Sequence, residues 1–104
     1  MPTLRIASAP CSYGVDEVSR EDAWVPEPDE LLDWMLGSGY AGTEIGPPGF
    51  LGVGAEVRAR LERRGMALVG AFLPQAFSRA ERAADDRAWL AEPLRRMRAA
   101  RPER

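Results

Sequence analysis

The stretch MALVGAFLP, residues 66–74, constrains the fold more than any other part of the chain. It is apolar almost without interruption. A strand with one wet face alternates apolar and polar residues, whereas a continuous apolar run belongs to a strand covered on both faces. That is the pattern of a parallel sheet. Parallel strands cannot be joined by a tight hairpin, so each needs a crossover, usually a helix. The rest of the chain should therefore supply alternating strands and helices with right-handed connections.

The remaining segments fit that demand. TLRIAS (3–8) is short, apolar and bounded by Pro10, and reads as a first strand. PDELLDWMLGSG (28–39) reads as a helix with Leu31, Leu32, Met35 and Leu36 on one face. Asp29 and Glu30 suit its positive N-terminal end. YAGTEIG (40–46) is a second strand, ended by Pro47 and Pro48, which cannot donate to a ladder. GAEVRARLERRG (54–65) is a second helix with Val57 and Leu61 as its stripe. Ser78 and Glu81 form a capping box that opens a third helix. Ala83, Leu90, Leu94 and Met97 share a face there, and Pro93 should kink or divide it. The order is βαβαβα. The connection from Ala9 to Glu27 has no regular pattern and is far longer than the roughly 2–6 residues usual for a βα loop.

Composition narrows the chemistry. The chain of 104 residues holds one core and one domain. A single cysteine, Cys11, excludes an internal disulfide, and the absence of histidine removes Ser-His, Cys-His and His-metal arrangements. Without an activating histidine, Cys11 reads as a small buried or loop-side thiol rather than a nucleophile. All 14 basic residues are arginine, so Schiff-base lysine chemistry and a P-loop lysine are absent too. Residues 1–44 carry nine acids and two arginines (−7), and residues 45–104 carry seven acids and twelve arginines (+5). Those arginines are mixed with acids and lack interleaved aromatics, so no nucleic-acid partner is expected. No run reaches the ~18 apolar residues of a membrane span. The N-terminus MPTLRIASAP has no apolar core for a secretory leader, so the expected location is the cytoplasm.

The stretch GTEIGPPGFLG (42–52) carries the most informative side chain. GPPGFLGVG matches neither GxGxxG nor GxxxxGK[ST], so its glycines serve a tight turn and close backbone approach rather than a nucleotide. A substrate phosphate at the second helix's N-terminus stays physically open. Glu44 ends a strand expected to be buried, where a carboxylate is costly unless something pairs with it. Two readings stand: a pocket carboxylate, or an ion pair with Arg5 on the adjacent strand. Tyr13 and Trp24 offer aromatic faces for sugar CH groups, although Trp24 equally suits surface-loop packing. Phe72 and Leu73, at the end of the third strand, read as pocket wall, with plain core the other reading. Trp34 and Trp89 lie in helices and read as packing residues.

PCSYGV (10–15), LLDWMLGSGYAGTEIGPPGFLG (31–52) and LERRGMALVGAFLP (61–74), in that order, resemble the xylose-isomerase-like barrel superfamily, in particular its sugar phosphate isomerase/epimerase and inosose dehydratase branch. Tyr13 stands where the branch usually has tryptophan. The resemblance implies an α/β fold, a (βα)3 unit with parallel strands like the first three repeats of a (β/α)8 barrel. It implies an enzyme acting on polyols or keto-sugars by proton abstraction, with a divalent metal (Mn, Co, Mg or Zn) stabilising charge on oxygen. The positions that map onto the pattern are Ser12, Tyr13, Glu44, Gly46 and Phe72, and Trp24 joins them as a sugar-facing aromatic. The family's metal ligands (Glu, Asp, His, Glu) come from later strands, so this chain alone is expected to bind none and to contain no catalytic residue. A complete barrel takes roughly 200–250 residues. Residues 1–104 thus read as one partial-barrel domain, the N-terminal part of such an enzyme, with an open sheet edge and an uncovered sheet face. The alternative is a non-catalytic α/β unit that self-associates or docks on a partner such as the missing barrel half.

Overall fold

The computed structural model describes residues 4–15, 24–75 and 78–102. Three strands form one parallel sheet in the order β1-β2-β3, with β1 at Ala7–Ser8, β2 at Gly42–Glu44 and β3 at Ala67–Gly70. The ladder extends slightly past these limits: the Ala41 amide donates to the Ile6 carbonyl (2.7 Å) and the Ile45 amide to the Gly70 carbonyl (2.9 Å). The strands are shorter than the apolar runs that announce them. A strand lasts only as long as its neighbour, and β2 is cut off at Pro47. Ala71 to Pro74 therefore have no ladder to join.

Helix α1 spans Pro28–Gly37 and α2 spans Gly54–Glu62. A proline at N1 and two acids in the first turn start α1 as expected. Leu31, Leu32 and Met35 on α1, Val57 and Leu61 on α2, and Met66 before β3 make the centre of the core, joined by Val15, Leu51 and Ala100. Each such leucine contributes about 1.5–3 kcal/mol by leaving water. Leu36, grouped with them by spacing, lies exposed at the stripe's margin. Arg64 ties the two helices together. Its Nε donates to Asp33 Oδ1 (2.8 Å), its Nη2 lies 3.1 Å from Asp29 Oδ1, and its Nη1 donates to the Arg60 carbonyl near the end of α2 (3.0 Å).

The third helix departs from expectation in two ways. It begins as a 3-10 turn at Ala80–Arg82 and continues as α3 over Ala83–Ala100, and neither start is capped by a side chain. The Ser78–Glu81 capping box is not formed, because the helical backbone begins beyond the reach of Ser78. Pro93 does not divide α3, which runs through it. The proline leaves the Trp89 carbonyl without its usual donor. This helix packs chiefly on α2 through its last turn. Ala100 is buried there, while Leu94 is 54% exposed and Trp89 stands half in solvent, so Trp89 is not the packing residue its position suggested.

All this cover lies on one side of the sheet. Thr43 is fully buried and Leu68 packs on the core, whereas Val69, the next residue of β3, is 56% exposed. The apolar run of 66–74 suggested cover on both faces, but among the described residues only one face is covered. The radius of gyration, 15.0 Å, exceeds the roughly 13 Å of a compact chain of this length.

Candidate functional site

Open α/β sheets place their ligands at the carboxyl ends of the strands, because the connecting loops and helix N-termini gather there. A cleft of about 420 Å³ runs along the uncovered face towards that end. Its lining is Ile6, Ala7, Ser8, Ala9, Ser12, Tyr40, Glu44 and Val69.

Two devices bring Ser12 and Glu44 to this cleft. The first is the turn after β1. Residues Pro10–Tyr13 form a 3-10 turn in which the Ser12 amide donates to the Ala9 carbonyl (3.0 Å) and the Val15 amide to the Pro10 carbonyl (3.1 Å). The Pro10 ring is buried against Gly46, whose backbone is left-handed at φ +73°. A β-carbon on Gly46 would stand 2.7 Å from Pro10 Cγ. Glycine is thus required where β2 exits beneath the turn that carries Ser12. The second device is a shift of register between Thr43 and Glu44, which sets Glu44 opposite Gly70 rather than Val69. Irregular pairing of this kind re-aims a side chain.

Glu44 is half-buried, and among the described residues its carboxylate has no ion-pair or hydrogen-bond partner. The Arg5 pairing is not made. Arg5 lines a different cavity of about 280 Å³ with Glu62, Gly65, Met66 and Arg101, near the amino end of β3. A half-buried carboxylate without a cationic partner among the described residues, in a cleft shared with a serine, is equipped to accept hydrogen bonds from vicinal hydroxyls or to take a proton.

The other candidates stand apart from the cleft. Tyr13 stacks on Trp34 with ring centroids 6.3 Å apart, and the Trp24 ring lies 6.4 Å from Trp34, tilted by 38°. Trp34 therefore packs, but with loop aromatics at the surface rather than with helix or sheet. Trp24 is 72% exposed. Phe72, beyond the end of β3, is 60% exposed and does not line the cleft. Cys11 is an exposed free thiol. Much of the long connection that begins at Ala9 lies outside the described residues.

Ser8, Tyr40 and Val69 line the cleft without having been singled out from the sequence. Ser8 is the last residue of β1, and that position alone marks it in a parallel sheet. Among the described residues, no group of three or more acidic, thiol or imidazole side chains stands where it would hold a metal ion. The described residues do not fit the divalent metal that the family resemblance implies. Comparison with known proteins finds no matching family model, no matching curated protein and no matching solved structure.

Proposed function

We propose that this chain supplies three consecutive βα units, and the substrate-facing carboxylate Glu44, to a barrel-type enzyme acting on polyols or keto-sugars. The enzyme would be an isomerase, an epimerase or an inosose dehydratase-like lyase. One observation carries the reading: Glu44, unpaired and half-buried, shares a cleft with Ser12 at the carboxyl ends of parallel strands. A carboxylate accepts from two neighbouring hydroxyls at once, and a serine hydroxyl gives or accepts a third bond, which suits a vicinal diol. A carboxylate so placed also takes a proton from carbon beside a carbonyl. Metal ligands and further strands would come from outside the described residues.

The test is an amide NMR titration of the chain with inositol, a keto-inositol and a ketose. The expected result is shifts concentrated at Ser8, Ser12, Tyr40 and Glu44. Glu44→Gln should weaken binding about 10-fold or more, since a hydrogen bond to a charged group is worth about 1.5–3 kcal/mol. Shifts confined to Tyr13 and Trp24, or no shifts at all, would refute the proposal.

A further inference from the structure

We infer that Thr43 is the residue that aims Glu44: its buried hydroxyl holds the shifted register that turns the carboxylate into the cleft. Thr43 is fully buried, and among the described residues it is the sole buried polar side chain. Valine has the same branched shape, suits a strand as well and brings no polar atom that must be satisfied. Packing alone therefore gives no reason for a hydroxyl at this position.

The hydroxyl donates to the Glu44 carbonyl over 2.7 Å. The pairing of β1 with β2 ends at Ser8 and Thr43, so Glu44 is the first residue of β2 without a partner on β1. A bond from a fully buried side chain draws that carbonyl towards the covered side of the sheet. Successive side chains of a strand point to opposite faces, so the Glu44 side chain is sent to the open one.

The register shift gives this aim its room. Thr43 pairs with Leu68 and Glu44 with Gly70, so Val69 is the extra residue of β3. A regular ladder would set Val69 against Glu44. Val69 lies back towards Gly42, where an added β-carbon would meet Val69 Cγ1 at 3.2 Å. Gly70 has no side chain, and a β-carbon built there would meet nothing within 4 Å. The carboxylate thus stands beside open space that a substrate hydroxyl can enter. Thr43 does not line the cleft; it acts through the Glu44 peptide, as a positioning residue. That Glu44 meets a polyol or keto-sugar rests on the proposed function, whereas its aim by Thr43 does not.

Thr43→Val removes the hydroxyl and keeps the shape, whereas Thr43→Ser keeps the hydroxyl and loses a methyl group. Amide hydrogen exchange and cross-strand NOEs read the register without any ligand. The Ile45 amide donates to the Gly70 carbonyl (2.9 Å) in the shifted register. In Thr43→Val it should exchange at least about 10-fold faster relative to the Leu61 amide inside α2, and the NOEs between Glu44 and Gly70 should be lost. Thr43→Ser should keep both features of the unsubstituted chain. With inositol, Thr43→Val should weaken binding about 10-fold and Thr43→Ser by no more than about 2-fold. Glu44→Gln should weaken binding yet leave Ile45 exchange unchanged, which separates the carboxylate from its support. Ile45 protection that survives Thr43→Val, or that both Thr43 variants lose alike, overturns the inference. Equal loss at Ile45 and Leu61 overturns it too, since that marks a general fall in stability. If Ile45 responds as expected but no chain binds a sugar, the aim of Glu44 by Thr43 stands and the sugar-acting function falls.

Discussion

Replacing Gly46 with alanine imposes two separate costs, and Gly49 allows them to be told apart. At Gly46 the backbone is left-handed (φ +73°) and a β-carbon would meet Pro10 Cγ at 2.7 Å and Pro10 Cβ at 3.1 Å. At Gly49 the backbone is also left-handed (φ +81°), but nothing stands within 4 Å. The left-handed backbone costs a non-glycine residue about 1–2 kcal/mol. Loss of unfolded-state freedom offsets that by about 0.4–1 kcal/mol. The Pro10 ring is buried and has no flexible end to swing aside, so overpacking adds about 1–3 kcal/mol. Gly49→Ala should therefore cost about 1 kcal/mol, and Gly46→Ala about 2–4 kcal/mol. Urea unfolding followed by tryptophan fluorescence measures both, at one fixed protein concentration because association would add to stability. Adding Pro10→Ala to Gly46→Ala removes Cγ but leaves Cβ, so it should recover part of the difference and none of the backbone cost. Equal costs for the two glycine variants, within about 0.5 kcal/mol, would show that the Pro10–Gly46 contact is not made.

Two further tests concern charge. Arg64→Ala should destabilise the chain by about 1–2 kcal/mol in the same urea assay. That is the lower part of the range for charge-assisted bonds, because Asp29 and Asp33 are largely exposed. Arg64→Lys should recover little, since an ammonium cannot span both aspartates and the Arg60 carbonyl. On α3, hydrogen bonds from Arg95 and then Arg96 hold the Glu92 carboxyl below its ordinary range. A carboxyl depressed in the folded state lends helix stability at pH above its unfolded value and loses it as pH falls through the folded one. An NMR titration should find the Glu92 midpoint below that of a free glutamate, and Glu92→Gln should abolish that acid-side loss of α3 helicity.

The βαβαβα order was legible because apolar periodicity and proline breakers are local signals. Pro47–Pro48 ends β2, and Leu31, Leu32 and Met35 define the buried side of α1. Other features depend on neighbours that local sequence does not specify. β3 stops at Gly70 because β2 supplies no further partner. Ser78 caps nothing because the helix begins later than the motif requires. The run 66–74 is apolar on both sides, yet one side of β3 meets no cover within the described residues. The candidate site divides in the same way. Glu44 was visible from its place at a strand's end. Its meeting with Ser12 depends on a buried proline seated against a glycine 36 residues away.

The core also bears on the order in which the chain assembles. Most of its buried side chains, from Leu31 to Met66, lie within one α1–β2–α2 span, and Ala100 joins from a distance. Closing a short loop costs less entropy than closing a long one, and nearby contacts form sooner. The middle of the chain is thus placed to collapse first, with β1 and its proline turn added on one side and the last turn of α3 on the other. On this order the Glu44–Ser12 cleft is a late product of folding, since it needs a turn that the early core does not contain.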